Sequence, residues 1–302
     1  MKITITGSLG NISKPLAKQL IAAGHQVTIV SSNADKISVI EALGAKAAIG
    51  SIADLDFLAA AFCGADVVYT MVPPNMGAAD NREYARNTAA NYAEAIQEAG
   101  ITRVVNLSSI GAHIDGGTGQ ISGTHDAEIV LNGLENVAIK HIRAGFFYVN
   151  FYANINMIKN LGFLGSNYDA STRLIMVHPY DIAAAIAEEL QQPFAGKSVR
   201  YITSDDRTLG EVAAILGAAI SKPDLQWIEF TDEQALNGLL QAGLPPEASR
   251  NFVEMGTAVR KGILWEDYDA KNTKPTGKIK LEDFAKEFAG TFKGQQADPV
   301  LN

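Results

Sequence analysis

The first strand of this chain runs into a helix through two glycines, and that junction constrains the fold more than any other feature. Ile3-Thr4-Ile5 is a short β-branched run. Thr6-Gly7-Ser8-Leu9-Gly10-Asn11-Ile12-Ser13 follows it and opens a helical pattern that begins near Asn11 and continues over 15–23. A strand, a glycine turn and a helix in that order start a βαβ connection, which joins parallel strands. The alternation continues: 27–30, 47–49, 66–70, 103–107 and 136–142 read as strands, and 34–43, 55–62, 81–99 and 127–133 as helices. The strands are apolar almost throughout, as a sheet covered on both faces requires. The predicted fold is α/β, a doubly wound parallel-sheet Rossmann domain over residues 1–150. A smaller α+β C-terminal lobe takes up 151–302, with some segments packing back onto the sheet. In such a fold the ligand sits at the carboxyl ends of the strands.

Beyond residue 150 the pattern loosens. Segments 174–177, 199–202 and 226–228 read as strands, and 181–190, 209–220, 232–242 and 281–288 as helices, with Asp181 the expected N-cap of the first. Leu244-Pro245-Pro246 is a break, and 271–280 is polar. With 302 residues and 47% apolar content, the chain can bury a sizeable core and is not a disordered segment. Its net charge of −8 disfavours a nucleic-acid surface. No apolar stretch approaches the roughly 18 residues of a membrane span. The N-terminus holds no apolar run long enough for a secretory signal, so no membrane association and a cytoplasmic location are expected. The single cysteine, Cys63, excludes an internal disulfide and a cysteine-based metal site, and is expected to be a small buried hydrophobe. The histidines are too scattered to suggest a metal centre.

The glycine turn has a specific chemistry. Gly7 permits a tight turn at positive φ, and Gly10 lets the backbone approach a pyrophosphate. The helix that follows offers free N–H groups and the positive end of its dipole. Ser13 stands where a third glycine is common and is small enough for helix–strand packing. The end of the second strand distinguishes the cofactor. NAD sites place an acid there for the ribose 2′-hydroxyl. This chain has Ser31-Ser32-Asn33 with Lys36 close by, which favours NADP(H), with NAD(H) as the alternative. Asn33 or Ser32 also suits an N-cap for the next helix.

Together with this turn, several later segments resemble the NmrA-like branch of the atypical short-chain dehydrogenases. They are Val104-Val105-Asn106-Leu107-Ser108-Ser109-Ile110-Gly111, His125 to Leu131, Ile142-Arg143-Ala144-Gly145-Phe146-Phe147 and Val177-His178-Pro179-Tyr180-Asp181-Ile182-Ala183. The resemblance spans nearly the whole chain. It implies an NADP-binding domain with a small lobe closing over the nicotinamide, in a family of quinone, dye and phenylpropanoid reductases and redox-sensing regulators. It implies that Gly7, Ser8, Leu9, Gly10, Asn11 and Ile12 hold the pyrophosphate. Ser31, Ser32 and Asn33 then lie by the adenosine ribose, and Gly50 and Ser51 approach the adenine. Met71, Val72 and Pro73 line the nicotinamide ribose. Ser108 and Ser109 lie near the nicotinamide, beneath Phe146 and Phe147.

Most short-chain dehydrogenases protonate substrate through a Tyr-x-x-x-Lys pair. None of the nine tyrosines here has a lysine four residues later. In its place stands Gly123-Thr124-His125-Asp126-Ala127-Glu128, with His125 expected to open the helix. His125 then either donates a proton, positions substrate or is a plain helix-start residue. Ser109 is placed to hydrogen-bond a substrate carbonyl or to end its strand. Phe146, Phe147, Tyr148 and Tyr152 form either a wall for a flat substrate or the core of the lobe. The expected activity is NADPH-dependent hydride transfer to a small quinone-like, aromatic or activated-alkene acceptor, with His125 and Ser109 as the catalytic candidates. The alternative is a non-catalytic NADP-binding regulator with a protein partner. Helix 82–99 is a candidate homodimer surface, and no metal is expected.

Overall fold

The structure is a computed structural model in which residues 1–294 are described. β1 (Lys2–Ile5), α1 (Ser13–Ala22), β2 (Gln26–Ser31), α2 (Ile37–Ala42), β3 (Lys46–Ile49), α3 (Leu55–Phe62), β4 (Val67–Thr70), α4 (Asn81–Glu98), β5 (Arg103–Ser109), α5 (Gln120–Asn132) and β6 (Ala138–Ala144) alternate as the sequence predicts. After them come β7 (Phe146–Phe147), α6 (Ile155–Leu161), β8 (Leu164–Ser166), β9 (Arg173–Val177), α7 (Pro179–Gln191), β10 (Lys197–Ile202), β11 (Asp205–Thr208) and α8 (Leu209–Ala219). The last elements are β12 (Trp227–Glu229), α9 (Asp232–Gln241), α10 (Pro246–Lys261), α11 (Glu266–Ala270) and α12 (Leu281–Phe292).

Seven strands form one parallel sheet in the order β10-β6-β5-β4-β1-β2-β3. The chain first steps outward from β1 through β2 to β3, then crosses to the other side for β4. That reversal opens a crevice at the carboxyl ends of β1 and β4. The apolar runs explain the two-sided burial. Val67 and Tyr69 face one layer with Leu16, Leu20 and Ile186. Val68 between them faces the opposite layer with Phe62, Tyr92 and Ile96. A third core, built on Tyr148, Phe151, Trp227, Phe284 and Phe288, fills the lobe.

The lobe is not a simple tail. β10 closes the main sheet beside β6, and α7 packs on α1. Two small sheets, β11-β9-β7 and β12-β8, form the remainder. Residues 295–302, the end of the expected lobe, lie outside the described residues. No helix among the described residues is long and apolar enough to cross a membrane.

Four expectations need correction. α5 begins at Gln120, so His125 lies inside the helix and does not open it. The small residues Ser122 and Gly123 are buried there, with Gly123 close against Asn81 and Ala85 of α4, and close packing looks like a turn in sequence. α7 is capped by His178, whose Nδ1 accepts from the Tyr180 N–H at 3.1 Å. Asp181 instead accepts from Ser204 Oγ at 2.8 Å and from the Ile279 N–H at 3.0 Å, tying down the polar 271–280 segment. Cys63 is exposed, because it ends α3 at the C-cap. Finally, Pro246 does not only break the chain. It occupies the first turn of α10, where its missing N–H costs nothing.

α12 docks through Asp205, which accepts from Tyr148 Oη at 2.6 Å and from the Leu281 N–H at 2.7 Å. Asp205→Ala leaves a buried phenol and a helix N–H unpaired. It should lower the unfolding free energy by about 2–4 kcal/mol in urea denaturation. An unchanged midpoint would show that α12 docks by apolar contact alone.

Candidate functional site

The β1–α1 turn leaves a helix end open. Gly7 adopts φ +86, where a Cβ would come within 2.6 Å of Ser13 Oγ. Ser13 Oγ itself donates to the Thr6 carbonyl at 2.8 Å, so the small residue at position 13 closes the turn from beneath. The Met71 N–H donates to Thr6 Oγ1 at 3.1 Å and joins the turn to the end of β4. Ile12 precedes α1 and no side chain caps it. Gly10 and Asn11 are exposed, Leu9 packs on the sheet core and Ile12 is buried. The Lys14 N–H donates to the Gly10 carbonyl at 3.1 Å, the Leu16 N–H donates to the Ile12 carbonyl at 3.0 Å, and Pro15 has no N–H. The N–H groups of Leu9, Asn11, Ile12 and Ser13 are left without a partner among the described residues, and free N–H groups at such a turn bind a phosphate.

The end of β2 meets this turn. Ser8 Oγ donates to Ser31 Oγ at 2.8 Å, and Lys36 Nζ reaches Ser8 Oγ at 3.3 Å. Ser8 holds φ +56, a strained region for a side chain, which brings its hydroxyl onto Ser31. Asn33 caps the short turn at Ala34–Lys36 by accepting from the Asp35 N–H at 2.8 Å, so its capping reading holds. Ser32 is exposed beside it. No carboxylate occupies positions 31–33. Gly50 follows β3, with its N–H donating to the Ser31 carbonyl at 3.0 Å, and Ser51 Oγ accepts from the Ala53 N–H at 3.1 Å. Met71, Val72 and Pro73 are half-buried at the end of β4, and Tyr92 Oη holds the Met71 carbonyl at 2.9 Å.

At the end of β5 the serines are already engaged. Ser108 donates to Glu128, and Ser109 Oγ donates to the Ile110 carbonyl at 2.9 Å. Glu128 in turn holds Arg143 through two contacts, 3.0 Å to Nε and 2.7 Å to Nη2. Arg143 Nη1 contacts Tyr201 Oη and Asp267 Oδ2, each at 3.2 Å, and Asp267 also takes Lys271 Nζ at 2.6 Å. Burial opposes the Arg143 charge, but the hydrogen bonds and charge of Glu128 raise its pKa above the ordinary arginine value. His125 Nδ1 lies 2.9 Å from the Ala112 carbonyl. Since a carbonyl only accepts, that nitrogen carries the proton and Nε2 remains, 3.8 Å from Asp115. Asp115, His125 and Asp126 cluster within 4.8 Å, but Arg82 and Arg86 hold Asp126 at 2.6 and 2.8 Å. The Arg82 hydrogen bond pulls the Asp126 pKa below the usual carboxylate range. This donor set suits guanidinium groups rather than a metal ion.

Residues 7–133 match a family model described as NAD(P)H-binding. No curated protein matches the chain. Among solved structures, NADPH-dependent quinone oxidoreductase from Escherichia coli complexed with NADPH is 19% identical, with a TM-score of 0.79 over 94% of this chain and 98% of that one. Citrobacter sp. triphenylmethane reductase complexed with NADP(H) is 18% identical, with a TM-score of 0.77 over 95% and 99%. A nucleoside-diphosphate-sugar epimerase from Staphylococcus aureus is 17% identical, with a TM-score of 0.79 over 95% and 100%. Residues 7–133 are an NAD(P)H-binding domain, and the chain has the fold of these solved structures. Gly7 at positive φ, the approach at Gly10 and the uncapped α1 fit the pyrophosphate of such a cofactor.

The aromatic residues beyond this domain divide. Phe146 and Phe147 pair with Met176 and Val177 of β9 and stay partly exposed. Tyr148 is fully buried, with its phenol on Asp205, so it belongs to the lobe core and does not line a cleft. Sequence reasoning missed the Glu128–Arg143 pair. Its one signal was the acid itself, Glu128, three residues after His125 on an otherwise apolar helix end. Helix α4, the candidate homodimer surface, exposes a polar face with Glu83, Arg86, Asn87 and Glu94.

Glu128→Leu strands the Arg143 charge in a buried site. The variant should lose about 3–5 kcal/mol by chemical denaturation, and a loss below about 1 kcal/mol would show that Asp267 alone satisfies Arg143.

Proposed function

We propose that this chain is an NADPH-dependent reductase of a small quinone-like, aromatic or activated-alkene acceptor, working without a Tyr–Lys pair. The observation that carries the reading is the joining of the open α1 terminus to Ser8, Ser31 and Lys36. The open terminus takes the pyrophosphate. Lys36 and the two hydroxyls take a 2′-phosphate, which no acid at 31–33 repels. Gly50 and Ser51 border the adenine, and Met71, Val72 and Pro73 border the nicotinamide ribose. When bound, the reduced nicotinamide supplies a hydride, two electrons with one hydrogen, to an acceptor that takes its proton from water. The chain's own work is to hold the acceptor close and dry, which hydride transfer needs more than a protein base. Phe146 and Phe147 supply an apolar wall for a flat acceptor, with Ser109 at its edge. His125 fixes the post-β5 turn through Ala112 and acts as a positioning residue. The NADPH-bound reductases of the same fold support this acceptor class. The missing tyrosine argues against the sugar chemistry of the epimerase.

Purified protein, NADPH and a panel of quinones and triphenylmethane dyes test the proposal through loss of reduced-cofactor absorbance. Tight NADPH binding with no turnover across the panel would favour a regulator instead. For the cofactor, Lys36→Ala should weaken NADPH binding by about 10–100-fold while leaving NADH binding unchanged in fluorescence titration. Tighter binding of NADH than NADPH by the unaltered protein would refute the 2′-phosphate assignment.

A further inference from the structure

We propose that His113, in the turn after β5, is the side chain that hydrogen-bonds the acceptor oxygen, a role that rests on the reductase reading above. As hydride reaches a quinone or carbonyl acceptor, negative charge grows on its oxygen, and a donor aimed there lowers the barrier. The polar side chains that the sequence offers for this task are committed elsewhere. Ser108 donates to Glu128, Ser109 to the Ile110 carbonyl and Tyr148 to Asp205. His125 spends its Nδ1 proton on the Ala112 carbonyl.

His113 differs from all of them. Both its ring nitrogens are buried, and neither has a hydrogen-bond partner among the described residues. An imidazole always carries at least one N–H, so at least one buried donor is unsatisfied, at a cost on the order of 1–3 kcal/mol. Such a cost persists where function requires the group. His113 also lies in the right place. The Ala112 N–H donates to the Ser109 carbonyl and the Ile114 N–H to the Gly111 carbonyl, each at 3.1 Å, so two successive turns carry His113 off the carboxyl end of β5. That end of the sheet is where a doubly wound fold binds its ligand. Gly111, buried at φ +87, lies inside the first of these turns and opens the second, so the left-handed conformation that a glycine allows sets the direction in which the turn leaves the strand. A second unpartnered donor, Trp265 Nε1, belongs to the segment whose Leu264 lies against Gly111.

The charges around the ring are mixed. Asp267 and Glu266 oppose Arg143 and Lys271, while burial pushes the imidazole pKa below its ordinary value. The ring is therefore neutral near pH 7 and keeps one N–H to offer without bringing a charge into an apolar site. No proton leaves His113 in this scheme. It polarises the acceptor oxygen, and water supplies the proton.

The test uses the full chain with NADPH and tetramethyl-1,4-benzoquinone, a fully substituted quinone that does not add the exposed Cys63 thiol. His113→Leu should lower kcat/KM about 100-fold. Its melting temperature should be equal to or above that of the unaltered protein, because an unsatisfied buried donor has been removed. NADPH affinity should not change. His113→Gln, whose amide still donates, should stay within about tenfold of the unaltered protein. Unchanged kcat/KM in His113→Leu overturns the assignment while leaving the reductase reading intact. So does a loss of activity that follows a lower melting temperature or weaker NADPH binding. If the unaltered protein binds NADPH but reduces neither this quinone nor any other acceptor of the panel, the reductase reading falls and this inference falls with it.

Discussion

The Glu128–Arg143 pair fastens the cofactor-binding sheet to the helix and lobe beside it. Arg143 rises from β6, next to the edge strand β10, Glu128 from α5, and Tyr201 and Asp267 reach the same guanidinium from β10 and α11. Two charges taken out of water cost more than their attraction returns unless every donor and acceptor is used. Here the guanidinium meets a two-point carboxylate, a phenol and a second carboxylate, while Glu128 also takes the Ser108 hydroxyl. The neighbouring elements α5 and β6 and the more distant β10 and α11 must therefore arrive together for any one to be satisfied. The end of β5, where the acceptor sits in the proposed function, is held rigid by this arrangement rather than by apolar packing alone.

That rigidity has a chemical consequence. A donor that is already hydrogen-bonded within the protein loses that bond when it turns to a substrate. Ser108, Ser109, Tyr148 and the Nδ1 of His125 are all in that position. The turn from Gly111 to Ile114 is built differently: its backbone bonds are made locally, and its histidine has no hydrogen-bond partner among the described residues. The site combines a fixed frame with one uncommitted imidazole, which suits a reaction whose main requirements are close approach and exclusion of water.

Much of the fold was legible in the sequence because parallel α/β packing leaves a strong local trace. The apolar runs at 3–5, 27–30, 66–70 and 103–107 are buried on both faces, and helices separate them at regular intervals. The turn at Gly7 was legible for a steric reason, since a side chain there would meet Ser13. The start of α5 and all of α10 were hidden. In α5, small residues that let it lie against α4 look like a turn, and in α10 a proline at the first turn looks like a break. Cys63 was misplaced because an apolar helix end does not reveal which face its last residue occupies. Gly7, Gly10, Ser31 and Lys36 could be singled out from the sequence because they lie in and just after the first βαβ unit.

By itself, the sequence determined the alternation of strands and helices that makes a parallel sheet, the glycine turn after the first strand and the absence of a Tyr–Lys pair, because each depends on residues close together along the chain. Only the tertiary structure decided that β10 closes the main sheet, that Glu128 meets Arg143 and that His125 is engaged while His113 is not. Whether a polar group is satisfied depends on partners far away in sequence, and no local pattern records which distant donors and acceptors will meet.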